Sequence, residues 1–338
     1  MKKLGILLLV LAVGSIAWFG NWGGDVDYYA FVPNAADGVI SVYDSTEGEI
    51  SREIEVSEQN IAHGIEVTPD GKQLYTGLMG GQDMLVLDPF SGEEITSIDI
   101  GNDLHGIDLD QEGRYLVIGQ IPHVIDTEKN EVVGTFDLPE PLEQLSHLRF
   151  SNDGEQVYMG ARPDDNEGFS SSETSVVVGN MEDFSVESRW PLRGAYTGIT
   201  SYDDQYLYVV NYLDSDKNLS VLDTVSGELL KQLPAGKNAH DVAVSSDDRY
   251  VWVVSRGEVG RADEGSGVYI FDAEQDWELV KEIDLPQPNH IAFSPTGEEV
   301  FVTDQMEDGL IIFDANNFEK IKELETGNDP HEIAFLEQ

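Results

Sequence analysis

A turn and the strands around it recur along the chain. "VTPDGKQLYTGL" begins at Val67 and "FSPTGEEVFVTD" at Phe293, and a histidine lies a few residues upstream of each. Internal repetition constrains a fold more than any local motif, because each copy must bury its apolar face against its neighbours. Aligning on the upstream position gives six full units, starting near His63, His105, His147, Thr197, His240 and His290, with a partial unit at His331. Each unit opens on a short apolar strand such as "HGIEVT" or "HDVAVS". A turn follows: "PDG", "QEG", "NDG", "YDD", "SDD" or "PTG". Then come a second strand such as "KQLYTGL", a third such as "LSVLDTVSG" and a fourth such as "ELLKQLPAG". Val, Ile, Tyr and Phe dominate these runs, and Gly, Asp, Asn and Pro punctuate them. No helical periodicity of useful length interrupts them.

Four antiparallel strands at a period of about 40–50 residues make a propeller blade. The chain ends supply a seventh. "HEIAFLEQ" is a first strand with nothing after it, and "DYYAFVPNAADGVISVYDSTEGEISREIEV", from Asp27, is a second, third and fourth strand with no first. Joined, they close the ring and leave no free edge at the seam. The expected fold is all-β: a seven-bladed β-propeller of four-stranded antiparallel blades over residues 25–338, closed by pairing of the C-terminal strand with the N-terminal blade. Residues 1–24 read as a signal peptide or N-terminal anchor. Two lysines precede an uncharged run from Leu4 to Gly20, with Ser15-Ile16-Ala17 as a small-x-small cleavage site. The expected location is extracytoplasmic: periplasmic, secreted or cell-surface.

At these residues the chain resembles the YVTN-repeat propellers. Their repeat runs roughly as a P-H-G-[IV]-A strand, an S-P-D-G turn, a Y-V-T-N strand and a V-S-V-[IL]-D-T-x-[ST]-G strand. "NDPHEIAF", "VTPDGKQLYTGL", "YLYVVN", "LSVLDTVSG" and "ISVYDSTEG" match it, and the resemblance spans about residues 27–338. "HVIDTEKN" is truncated, and "SYDDQYLYVVNY" lacks the histidine. The resemblance implies the fold and leaves the function open. Propellers of this broad kind include d1-haem-binding domains, lactonase-like enzymes and the copper-site domain of nitrous oxide reductase.

Six of the seven histidines fall at blade starts: His63, His105, His147, His240, His290 and His331. Only His123 lies elsewhere, in a third strand away from the channel. Counted back from the turn, His63, His105, His240 and His331 share one position, where other blades place Ser146, approximately Tyr196, and Asn289. His147 and His290 come one residue later, which in an extended strand reverses side-chain direction. Two readings stand. Duplication copies a turn-capping residue with each blade. Alternatively, neutral imidazoles hold copper, zinc or iron at the channel, as nitrogen clusters do. In the second reading His63, His105 and His331, on adjacent blades, are the core ligands. His240 reaches across, and His147 and His290 support them. That gives a metalloenzyme, an oxidoreductase by class.

With 65 acidic against 19 basic residues the net charge is −46. Nucleic acid and anionic lipid are repelled by such a surface, so no nucleic-acid partner is expected, and a membrane only through the N-terminal anchor. Acidic residues spread over the whole chain point to a halophilic protein. There is no cysteine, which removes disulfides, thiolate metal sites and covalent haem attachment. No G-x-S-x-G, H-E-x-x-H, P-loop or dinucleotide fingerprint appears. The two long second-to-third connections, from Arg162 and Arg256, open onto the channel face. With Asn34, Asn211 and Asp304 at matching places they make a candidate ligand rim. The leading expectation is a binding or scaffold propeller that takes a small molecule or a protein at its channel mouth.

Overall fold

The computed structural model describes residues 26–57, 61, 63–78, 80–101, 104–213, 217–258, 260 and 265–338. The leader read over residues 1–24 lies outside the described residues. Seven four-stranded antiparallel sheets form the ring. Blades 1 to 6 are numbered here from the units at His63, His105, His147, Thr197, His240 and His290, and blade 7 is the split one. The innermost strands run Glu66–Val67, Ile107–Leu109, Gln144–Phe150, Ala195–Thr200, Ala239–Val244, Pro288–Phe293 and Ala334–Glu337. Among the described residues no helix is long and apolar enough to cross a membrane.

Blade 7 closes as the sequence predicts. Ala334–Glu337 pairs with Tyr28–Asn34, with Ala30 opposite Phe335 and Phe31 opposite Ala334. Its faces pack on both neighbours. Phe31, Ile40, Val42, Ala334 and Leu336 cluster with Ile65, Val67, Leu74 and Leu85 of blade 1. On the other side Tyr28, Val32 and Tyr43 cluster with Phe301, Leu310 and Ile312 of blade 6. The seam is therefore sealed by apolar burial as well as by the ladder.

Strand position in the blade decides burial. The second and third strands meet a neighbouring blade on both faces, so Glu299–Asp304 and Gly309–Asp314 are almost wholly buried. The outermost strand, Lys320–Glu325, is mostly exposed and carries the charges. The repeated turn needs one left-handed residue. Gly71, Gly113, Gly154 and Gly297 supply it at φ near +70°, and Asp204 and Asp248 adopt φ of 53° and 61°. Aspartate tolerates that region where bulkier residues do not.

The inner strands start irregularly. Register shifts fall between Leu145 and Leu148, between Ala195 and Thr197, between Ala239 and Asp241, and between Pro288 and Ile291. Each is a bulge beside the channel, and bulges re-aim side chains. Strict alternation therefore fails where the histidines sit.

Candidate ligand site at the channel mouth

The six blade-start histidines and Tyr196 bring seven aromatic rings together, one from each blade, in a circle that His147 crosses to come within 5.6 Å of His290. Going round, ring centroids lie 5.2 Å apart for His63–His105, 4.9 Å for His105–His147 and 4.9 Å for His147–Tyr196. Tyr196–His240 is 5.0 Å, His240–His290 4.9 Å and His290–His331 5.8 Å. His331 then stacks on His63 at 3.7 Å with planes 5° apart. Both histidine registers converge, because Ser146-His147 and Asn289-His290 share bulges opposite single residues of the second strand. Tyr196 fills the blade that lacks a histidine. His123 bonds Thr135 through Nδ1 at 2.8 Å from the third strand of its blade, away from the circle.

The hydrogen bonds fix where protons sit. The main-chain carbonyl of Asn289 can only accept, so His240 Nδ1–H donates to it at 2.9 Å. His240 Nε2 then accepts from the Tyr196 hydroxyl at 3.2 Å. The Tyr196 oxygen in turn accepts from His147 Nε2–H at 3.2 Å. His147 Nδ1 lies 3.1 Å from Glu332 Oε1, an approach that does not align as a hydrogen bond. His331 Nδ1 lies 3.0 Å from Asn289 Nδ2, and its Nε2 lies 2.9 Å from Gln305 Nε2 and 3.3 Å from Asp329 Oδ1.

Burial and crowding keep His63, His147, His240 and His290 neutral. Burial, then the neighbouring imidazoles of His331 and His105, hold His63 far below the usual histidine range. Burial lowers His147 to about 4. His240 and His290 are lowered well below their ordinary value, again by burial first. Desolvation disfavours each charged ring, and a second charge within the circle costs more.

Below the rings lies a layer that sequence reasoning missed. Arg149 donates to Asp108 Oδ1 at 3.1 Å, and Glu66, Asp241 and Glu332 surround it. Burial opposes its charge, but Asp108, Asp241 and Glu332 outweigh that and raise it. Burial pushes Asp108 up to about 6 and Glu332 up to about 8, each against the pull of Arg149. Arg149 and Asp108 keep 23% and 13% of their side-chain surface open although protein encloses them, as expected for residues lining a narrow channel. A signal was available: Glu66, Asp108 and Arg149 occupy one inner-strand position in three consecutive blades, where an apolar residue is the norm.

Above the rings two cavities of about 590 and 600 Å³ share His105, Tyr196 and Arg256 in their walls. Arg162 and Arg256 both line the first, beside Phe169, Tyr196 and Tyr212. Arg162 stacks over Phe169 at 4.9 Å, and Arg256 donates to Gln305. The Nε of each arginine is buried without a hydrogen-bond partner. Of the other expected rim residues none lines either cavity. Asn34 is buried and donates to Ser41 at 2.9 Å, and Asn211 donates to the Arg193 carbonyl at 2.9 Å. Asp304 accepts main-chain N–H groups of Gln287 and Met306, each at 3.0 Å. These three hold strand ends in place.

Among the described residues no group of three or more His, Asp and Glu is arranged to hold one metal ion. Imidazole lone pairs lie in the ring plane, so the parallel stack of His63 on His331 sets theirs side by side rather than toward one point. The arrangement does not fit a single ion shared by His63, His105 and His331.

No protein-family model matches the chain, and no curated protein does. The fold is shared with solved structures. Hydrazine synthase of Kuenenia stuttgartiensis superimposes with a TM-score of 0.69 at 14% identity, covering 79% of this chain and 87% of that one. A periplasmic gluconolactonase of Pseudomonas aeruginosa gives 0.69 at 18% identity, covering 92% and 99%. A dihydro-heme d1 dehydrogenase in complex with DHE gives 0.63 at 14% identity, covering 90% and 74%. At these identities the likeness is one of fold.

Proposed function

We propose that the chain is an exported binding propeller that takes a small carboxylate-bearing molecule at its channel mouth. One observation carries this reading. In a chain of net charge −46, two guanidinium groups line one cavity beside Glu143 and Asp164, and among the described residues neither makes a direct ion pair, although Asp165 feels the charge of Arg162 and Asp329 that of Arg256. Carboxylates are plentiful on this surface, so an arginine that makes no direct ion pair keeps donors for a ligand. Guanidinium also matches carboxylate geometry bidentately. Phe169, Tyr196 and Tyr212 offer apolar walls for the rest of the molecule. Export rests on the leader read in the sequence, and the periplasmic name of one fold neighbour agrees with it.

The competing reading is a metal-dependent oxidoreductase with copper, zinc or iron on the circle of histidines. It requires the His63–His331 stack to open first. A thermal-shift screen of small carboxylates beside matched neutral amides, with elemental analysis of untagged protein, separates the two. Stabilisation by acids and not by amides, with no stoichiometric metal, is expected. Stoichiometric metal lost on replacing His63 and His105 together, with no response to carboxylates, would overturn the binding reading.

A further inference from the structure

Asp241 follows His240 on the inner strand of blade 5 and reaches into blade 6. Its Oδ2 faces His290 Nδ1 at 3.1 Å and accepts the main-chain N–H of Ile291 at 3.2 Å. Its Oδ1 accepts the N–H of Val242 at 2.9 Å. Both side chains of the pair are 4% exposed. Burial raises the Asp241 carboxyl, while Arg149, His147 and the two main-chain donors work against it. A carboxylate can only accept, so the imidazole proton of His290 sits on Nδ1. A neutral ring has one such proton, and His290 is kept neutral by burial and by His147 and His331 beside it. Its Nε2 is therefore a bare lone pair, without a hydrogen-bond partner among the described residues. His240 and His331 differ, since both nitrogens of each are engaged. His290 lines the 600 Å³ cavity together with Arg256, whose charge is close enough to lower the basicity of the ring.

We infer that the ligand is a hydroxy-carboxylate, whose carboxylate rests on Arg256 and whose hydroxyl donates to Nε2 of His290. This rests on the carboxylate reading above and adds the second group. A hydroxyl brings the one donor that a single free acceptor can satisfy. An ammonium would bring three donors and a second positive charge beside Arg256. A keto group would set its own lone pairs against that of Nε2. Asp241 acts as a positioning residue, fixing which ring nitrogen faces the cavity.

Calorimetric titration of the full mature chain in molar salt with lactate, propionate, pyruvate and alanine tests this. Lactate is expected to bind about tenfold more tightly than propionate, the scale of one neutral hydrogen bond, with pyruvate and alanine weaker than lactate. His290→Phe should bring lactate and propionate to the same affinity, whereas Arg256→Gln should weaken both. Equal binding of lactate and propionate by the unaltered protein would overturn the hydroxyl assignment and leave the carboxylate reading intact. Binding of none of the four would overturn both. Because His290→Phe disturbs a packed ring, ¹⁵N chemical shifts of the histidines in the unaltered protein give an independent check. The Nδ1–H tautomer is expected for His290, and an Nε2–H tautomer would overturn the proposal.

Discussion

Tyr196 completes a circle that six histidines leave open. Its hydroxyl joins His147 to His240, and the direction of that chain follows from the Asn289 carbonyl at its end. Glycines make room for it. A Cβ on Gly160 would come within 2.4 Å of Ser146 Oγ and 2.7 Å of the Tyr196 carbonyl, so the second strand of blade 3 must be bare where the bulge crosses it. Titration of these residues is visible in stability. Glu332 is raised to about 8 in the fold, against about 4.3 in an unfolded chain. Its contribution is complete below the unfolded value and is lost as pH rises through 8. His147, lowered to about 4, runs the other way: its contribution is complete above about 6.5 and is lost as pH falls through 4. Between pH 6.5 and 8 the raised carboxyls dominate, Glu332 and with it Glu66, which burial also holds well above its ordinary value. Unfolding free energy in molar salt should therefore fall by about 2 kcal/mol across that window, and Glu332→Gln should flatten the slope. Denaturant melts at fixed salt measure it, and a stability that climbs from pH 6.5 to 8 would contradict the assignment. The histidines were legible in the sequence because they recur. Tyr196 was only a gap in that pattern, and Asp241 and Glu332 hid beside histidines that drew the eye.

Strands and turns were the most legible level. The turn tripeptides, the β-branched runs and the two complementary ends specify every blade, and the closure at Ala334–Glu337 follows from them. Bulges were not legible, because a bulge depends on how a strand meets its neighbour in space. Period-two reasoning therefore separated His147 and His290 from the other histidines, although all six converge. The same limit applies to the expected rim. Asn34, Asn211 and Asp304 sit at corresponding strand ends, but at that position the side chain turns inward to satisfy backbone groups. The closing strand carries a direct test. Leu336 is 5% exposed between blades 7 and 1, and Leu336→Ala should cost about 2–4 kcal/mol. Removing residues 331–338 should abolish a single cooperative melt, since it opens the ring and exposes the strand edge of Tyr28–Asn34. Thermal unfolding with an unchanged midpoint after that truncation would refute the closure.

At the scale of the molecule, charge and site pull in opposite directions. A net charge of −46 repels itself and any approaching anion, and salt relieves both. The melting temperature should rise from low to molar salt, and a steady fall would remove the halophilic reading. Anion entry should also speed up as salt screens the surface, because the nearest field is set by Arg162 and Arg256 while the distant one is set by the carboxylates. The ring gives those arginines a rigid frame: each ends the second strand of its blade, Gln156–Arg162 and Tyr250–Arg256, above seven packed aromatic rings. The most direct test of a carboxylate site is calorimetric binding of one small acid, lactate, to the unaltered protein, to Arg162→Gln, to Arg256→Gln and to the double variant. A charge-assisted hydrogen bond contributes about 1.5–3 kcal/mol, so Arg256→Gln, which removes the group on the carboxylate, should weaken binding about 10- to 100-fold, Arg162→Gln should weaken it less, and the double variant should leave no measurable binding. Lactate affinity unchanged in the double variant would contradict the site.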